Sequence, residues 1–113
     1  MDSLSLIEVA DEHIAAARQG ASGRSAVTVH GGHEHALRQT VIALSAGHGL
    51  GEHDSPGEAT LQVLAGRVSL VAGDLSCEAT AGDYLIIPPA RHRLEAIEDS
   101  AVLLTVAVAG LQE

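Results

Sequence analysis

Beyond Gly23 the chain is written in short β-rich runs separated by glycine, and no helical stretch lies between any two of them. The runs fall at 26–30, 36–44, 60–64, 67–71, 75–79, 84–87, 93–97 and 101–108. Short strands at such close spacing predict an all-β sandwich or barrel. The absence of intervening helices excludes parallel crossover units. Ala72-Gly73-Asp74 reads as a hairpin, and Ala81-Gly82-Asp83 and Glu98-Asp99-Ser100 read as turns. The last run, 101–108, has almost no polar alternation, which implies apolar neighbours on both of its faces, one of them a subunit interface.

Ahead of the strands, Leu4, Ile7, Ile14 and Ala17 recur at helical offsets, with Asp11 and Glu12 leading an alanine run and Gly20 stopping it. One short N-terminal helix near 10–19 is expected, with 6–9 readable as helix or as an extended lead-in. A chain of 113 residues, 46% hydrophobic, supports one core and not two.

Charge and composition remove several functions. Fifteen acids against six bases leave a net charge of −9, and all the bases are arginine. Without lysine there is no Schiff-base chemistry, and with Tyr84 as the sole Phe, Trp or Tyr there is no stacking platform for bases. An acidic surface also repels phosphate backbones, so nucleic acid is not an expected partner. The first eight residues carry acids where a signal peptide needs positive charge, and no apolar run is long enough to span a bilayer. The single Cys77 can form no internal disulfide, and its plainest reading is a small core or partly exposed residue. These features give the expectation of a cytoplasmic protein without a membrane partner.

Seven histidines are a heavy load for this length, and six of them (His30, His33, His35, His48, His53 and His92) lie among the strands. Imidazole is the commonest metal ligand and a proton shuttle near neutral pH. On a strand, His33 and His35 would project from one face, continued by Gln39; the competing reading is a solvated pair after Gly31-Gly32. Because 36–44 is extended, His33 and His35 are expected at the opposite end of that strand from the turn leading to His53.

Two segments carry a resemblance. Residues 47–68, with Gly47, His53 and Gly66, resemble the first cupin motif, which runs Gly, five residues, His-x-His, three or four residues, Glu, six residues, Gly. Residues 82–92, with Gly82 and Pro88, resemble the second, which runs Gly, five residues, Pro-x-Gly, two residues, His, three residues, Asn. The resemblance covers about 24–108 and implies a cupin jelly-roll β-barrel preceded by an arm and helix at 1–22, one domain overall. It also implies a divalent metal held inside the barrel by histidines and a glutamate. Carried over residue by residue, His53 matches the first histidine. The second falls on Ser55, and the glutamate position on Ala59, with Glu58 one residue early. In the second motif the glycine is Ala90, the histidine position is Arg93 with His92 one residue early, and the chain has no asparagine. A one-residue slip on a strand turns a side chain to the other face. Glu58 follows Pro56-Gly57, however, and a loop shortened by one residue would return His92 to the ligand position.

On that register the metal site is His53, Glu58 and His92, with His33 and His35 as weaker candidates and Gln39, Ser55 and Tyr84 as pocket residues. Imidazole with carboxylate suits Fe, Mn, Ni or Zn without choosing among them. The leading expectation is a small cupin, homodimeric through strand surface with Leu103, Val106, Val108, Leu4 and Ile7, that binds a small organic ligand in its barrel. With metal, the resemblance implies dioxygenase- or isomerase-like chemistry. The alternative is a metal-free cupin acting as a ligand sensor or an interaction dimer. No Gly-x-Ser-x-Gly elbow is present, which argues against a serine hydrolase. Arg38, Arg91 and Arg93 could clamp a carboxylate or simply keep an outer face wet.

Overall fold

The computed structural model describes residues 1–54 and 57–108. It holds one helix, α1 (Leu6–Gln19), and nine strands among the described residues: β1 (Arg24–His30), β2 (Leu37–Leu44), β3 (Gly49–His53), β4 (Glu58–Ala65), β5 (Arg67–Ala72), β6 (Leu75–Thr80), β7 (Tyr84–Ile86), β8 (His92–Ala96) and β9 (Ser100–Ala107). The strands form two antiparallel sheets, ordered β1-β2-β9-β4-β7 and β3-β8-β5-β6. The main core lies between them: Leu44, Leu61, Val63 and Val102 from the first sheet meet Val68, Leu70, Leu94 and Ala96 from the second.

The helix begins a full turn earlier than residue 10. Ser5 is its N-cap, with Oγ accepting from the Glu8 N–H at 3.2 Å, and Glu8 and Arg18 complement the dipole at the two ends. Ala10 and Ala17, both fully buried, lie with Ile14 on the face that meets Ala43, Ala101 and Leu64. Small residues on both partners bring the helix close to the outer face of the first sheet. His13 Nδ1, 2.7 Å from Ser25 Oγ, ties the helix to β1.

This docking corrects one expectation about 101–108. Ala101 is covered by α1, and Val102 and Leu104 face the core, so the helix supplies the second apolar neighbour at the start of β9. Leu103 is buried and Val106 packs on the core, which leaves Leu4 and Ile7 as the exposed members of the expected dimer set among the described side chains; Val108 is half-buried.

β3 is the strand that the sequence hides. Gly49 and Gly51 leave its outer face without side chains, so it shows no alternation. Gly49 is required by packing, because a Cβ there would run into the Leu94 carbonyl oxygen on β8. β3 and β8 therefore lie closely enough to set the geometry of the residues at their ends.

Candidate functional site

Those ends carry His53 and His92, which face each other directly across the β3–β8 ladder. Their ring centroids are 4.5 Å apart, with the planes at 65°. His92 is only 3% exposed, whereas His53 stands at the solvent end. Each ring is anchored by the same local device: His53 Nδ1 bonds to the Gly51 carbonyl and His92 Nδ1 to the Ala90 carbonyl, both at 2.9 Å. A carbonyl only accepts, so each Nδ1 carries a proton, and the neutral form of each ring has its lone pair on Nε2. Neither Nε2 makes a hydrogen bond among the described residues, and because no buried side-chain nitrogen or oxygen there lacks a partner, both remain open to solvent.

Both rings line a small cavity of about 30 Å³ between the sheets, whose other walls include Leu61, Leu70, Leu94 and Leu104. That volume suits one or two waters. Larger hollows, of about 400 and 470 Å³, lie open on the outside of the two sheets. The hollow between the sheets is the better candidate because, among the described residues, it brings the two histidines against leucine and isoleucine walls. Just outside, Arg91 reaches Glu52 at 3.6 Å and Asp54 at 3.8 Å, clipping the residues that flank the two histidines; these exposed pairs contribute little to stability.

The donor set can be tested against a metal. With metal–nitrogen bonds of about 2.0–2.1 Å, two imidazoles on one ion have centroids roughly 4.5–5 Å apart, so the spacing fits. The free Nε2 atoms and the backbone-anchored Nδ1–H groups are also the arrangement of ligating histidines. The third donor is not there: among the described residues no group of three or more His, Cys, Asp or Glu converges on an ion. The pair alone therefore falls short of the three protein ligands that a catalytic divalent site keeps.

Glu58 starts β4 opposite Ala107 and is exposed, while its neighbour Ala59 is buried in the core. Strand alternation thus turns Glu58 away from the interior, as a one-residue slip requires. Ser55 lies outside the described residues. Gln39 is on the outer face of the first sheet, where its Nε2 donates to Thr105 Oγ1 at 3.1 Å, and Tyr84 is 62% exposed on the edge strand β7. Neither lines the inner cavity, because each shares its side of the sheet with residues that alternate against the core positions.

His33 and His35 do not share a strand face, since 33–34 form a turn and β2 starts only at Leu37. His35 instead meets His30, which the spacing argument passed over although Gly31-Gly32 announces the turn between them. Nor do they lie at the far end of the fold. Leu37 and Glu58 both pair with Ala107, so the start of β2 shares its end of the sheet with the start of β4, the strand that follows β3 and His53 in sequence. Cys77 is exposed on β6, and Arg93 is engaged by Glu95 at 2.9 Å.

No protein-family model matches the chain, and no curated protein matches it. Solved structures do. An RmlC-like cupin protein from Desulfovibrio desulfuricans is 28% identical, with a TM-score of 0.74 over 95% of this chain and 96% of that one. A conserved protein of unknown function from Streptococcus pyogenes is 25% identical, with a TM-score of 0.71 over 80% and 79% of the two chains. Salicylate 1,2-dioxygenase from Pseudoaminobacter salicylatoxidans shares the fold at 18% identity, with a TM-score of 0.73 over 88% of this chain and 31% of that one.

Proposed function

We propose that this chain, a small cupin, binds a small organic molecule inside a jelly-roll barrel formed by its two sheets, with His53 and His92 as the polar end of the site. The observation that carries this reading is the pair of unpartnered Nε2 lone pairs on an otherwise apolar cavity. A solvent-reached ring nitrogen beside apolar walls can exchange its water for the proton donor of a ligand whose body covers those walls. The ligand class is therefore a molecule with one hydroxyl or carboxylic acid group and a short apolar body. A cavity of about 30 Å³ requires the leucine side chains to shift as such a ligand enters.

A second reading is favoured by the tautomer and the 4.5 Å ring spacing: His53 and His92 as two donors to Fe, Mn, Ni or Zn. Glu58 would complete the set only by turning inward. A metal there would act as a Lewis acid on a bound oxygen, the chemistry of dioxygenase- or isomerase-like cupins. The absence of a third donor among the described residues makes the metal-free ligand binder the stronger reading, with a sensor or interaction role as its natural use.

The test is ring-nitrogen NMR on tag-free, metal-free protein titrated with short hydroxy compounds and carboxylic acids. His53 and His92 should shift, and His53→Ala or His92→Ala should weaken binding tenfold or more, with His33→Ala neutral. Response only after Mn, Fe, Ni or Zn is added would favour the metal reading, whose affinity should itself fall with pH as protons compete.

The same proposal includes a cytoplasmic homodimer. Among the described residues, Leu37, Tyr84 and Ile86 are exposed on the first sheet, and Leu4 and Ile7 on the arm and helix. Closed two-fold pairing would cover them. Sedimentation at micromolar concentration should show a dimer that Ile86→Glu dissociates; a monomer at all concentrations removes this part of the proposal. No helix among the described residues is long and apolar enough to cross a membrane.

A further inference from the structure

We propose a second, outer cation site at His30 and His35, distinct from the inner pair and suited to a late divalent transition metal. The chain builds it locally. A register shift between Thr28 and His30 ends β1, and the His35 N–H donates to the Gly32 carbonyl at 3.1 Å, folding the 31–34 loop back so that the two imidazoles meet. Their centroids are 4.7 Å apart with the planes at 40°, within the roughly 4.5–5 Å that two imidazoles on one ion require. Among the described residues neither ring has a hydrogen bond or an ion pair, so all four ring nitrogens are free to bind. Arg38, the nearest cation along the chain, donates its Nε to the His35 carbonyl at 3.4 Å.

The ligand class follows from the donors. Two imidazoles, one exposed at the end of β1 and one half-buried before β2, with no third His, Cys, Asp or Glu among the described residues closing on them, leave the remaining positions to water. Such a site ranks cations by intrinsic affinity, Cu²⁺ ahead of Ni²⁺ and Zn²⁺, and it does not hold Mg²⁺ or Ca²⁺, which require oxygen. A net charge of −9 favours any cation over water at this surface. His30 also borders the open groove over the first sheet, which gives the ion and its remaining ligands room.

The experiment is a Cu²⁺ titration of tag-free protein followed by calorimetry and electron paramagnetic resonance. One ion per chain with two-nitrogen coupling, held with the modest affinity of two imidazoles and water, is expected in the His53→Ala/His92→Ala chain, where the inner pair cannot compete. His30→Ala and His35→Ala should each weaken it tenfold or more, while His33→Ala and His13→Ala should stay within twofold. The site should persist in the His53→Ala/His92→Ala chain, which separates it from the inner pair. Circular dichroism melting checks that each variant is folded. Unchanged affinity in His30→Ala and His35→Ala, an equal loss in His33→Ala, or disappearance of the site in the His53→Ala/His92→Ala chain would each overturn the proposal.

Discussion

Replacing Gly66 by Ala should destabilise the protein by about 3 kcal/mol or more, a large share of the roughly 5–15 kcal/mol that holds a domain folded. Gly66 joins β4 to β5 at φ +84°, where an L side chain costs about 1–2 kcal/mol by itself. A Cβ there would also run into the Asp99 carbonyl oxygen and Ser100 Oγ. Neither can yield: Ser100 is 1% exposed, its Oγ accepts from the Arg67 N–H at 2.9 Å, and it donates in turn to the Glu98 carbonyl at 2.7 Å. Gly73→Ala is the control, because φ is +60° there and nothing lies within 4 Å, so only the conformational cost remains. Urea denaturation decides it: equal, small losses in both variants would show that the contact at Gly66 is relieved without cost.

Much of this architecture could be read from residue patterns, and the failures have specific physical causes. Runs such as 67–71 and 75–79 were legible because β-branched and apolar residues alternate between turn signals, and they pair as the β5–β6 hairpin. β3 was not, since its two glycines erase the alternation while backbone pairing to β8 needs no side chains at all. The helix start was ambiguous because Leu6 and Ile7 suit either state, and the decision came from the Ser5 cap. Which strand joins which sheet was beyond local pattern, and so was the position of the 33–35 segment. That placement depends on Leu37 and Glu58 sharing Ala107 as a partner. At the candidate site, His92 was singled out on the supposition of a loop one residue short, and it lies directly across from His53. Glu58 met no such compensation, and Ala59 holds the inward position.

Leu61→Ala should couple stability to binding in one variant. Leu61 sits on β4 between Leu104 of β9 and Leu85 of β7, is 3% exposed, and walls the small cavity beside the two histidines. Truncating such a leucine costs about 2.7–5 kcal/mol, according to how far the surroundings collapse. The enlarged hollow should then admit phenol, whose ring replaces the lost leucine contacts and whose O–H donates to an Nε2. Phenol at a hundred times its dissociation constant would return about 2.7 kcal/mol, visible as a concentration-dependent rise in the melting temperature. Toluene isolates the polar part, since it fills the same space without offering a proton. Burying a hydroxyl without a partner is unfavourable, so a preference for phenol over toluene in Leu61→Ala reports an acceptor inside the cavity. Adding His92→Ala to Leu61→Ala should abolish that preference while leaving toluene binding in place. Equal affinity for phenol and toluene in Leu61→Ala would mean that the histidine nitrogens do not serve the cavity, and the ligand-binding reading would fall with them.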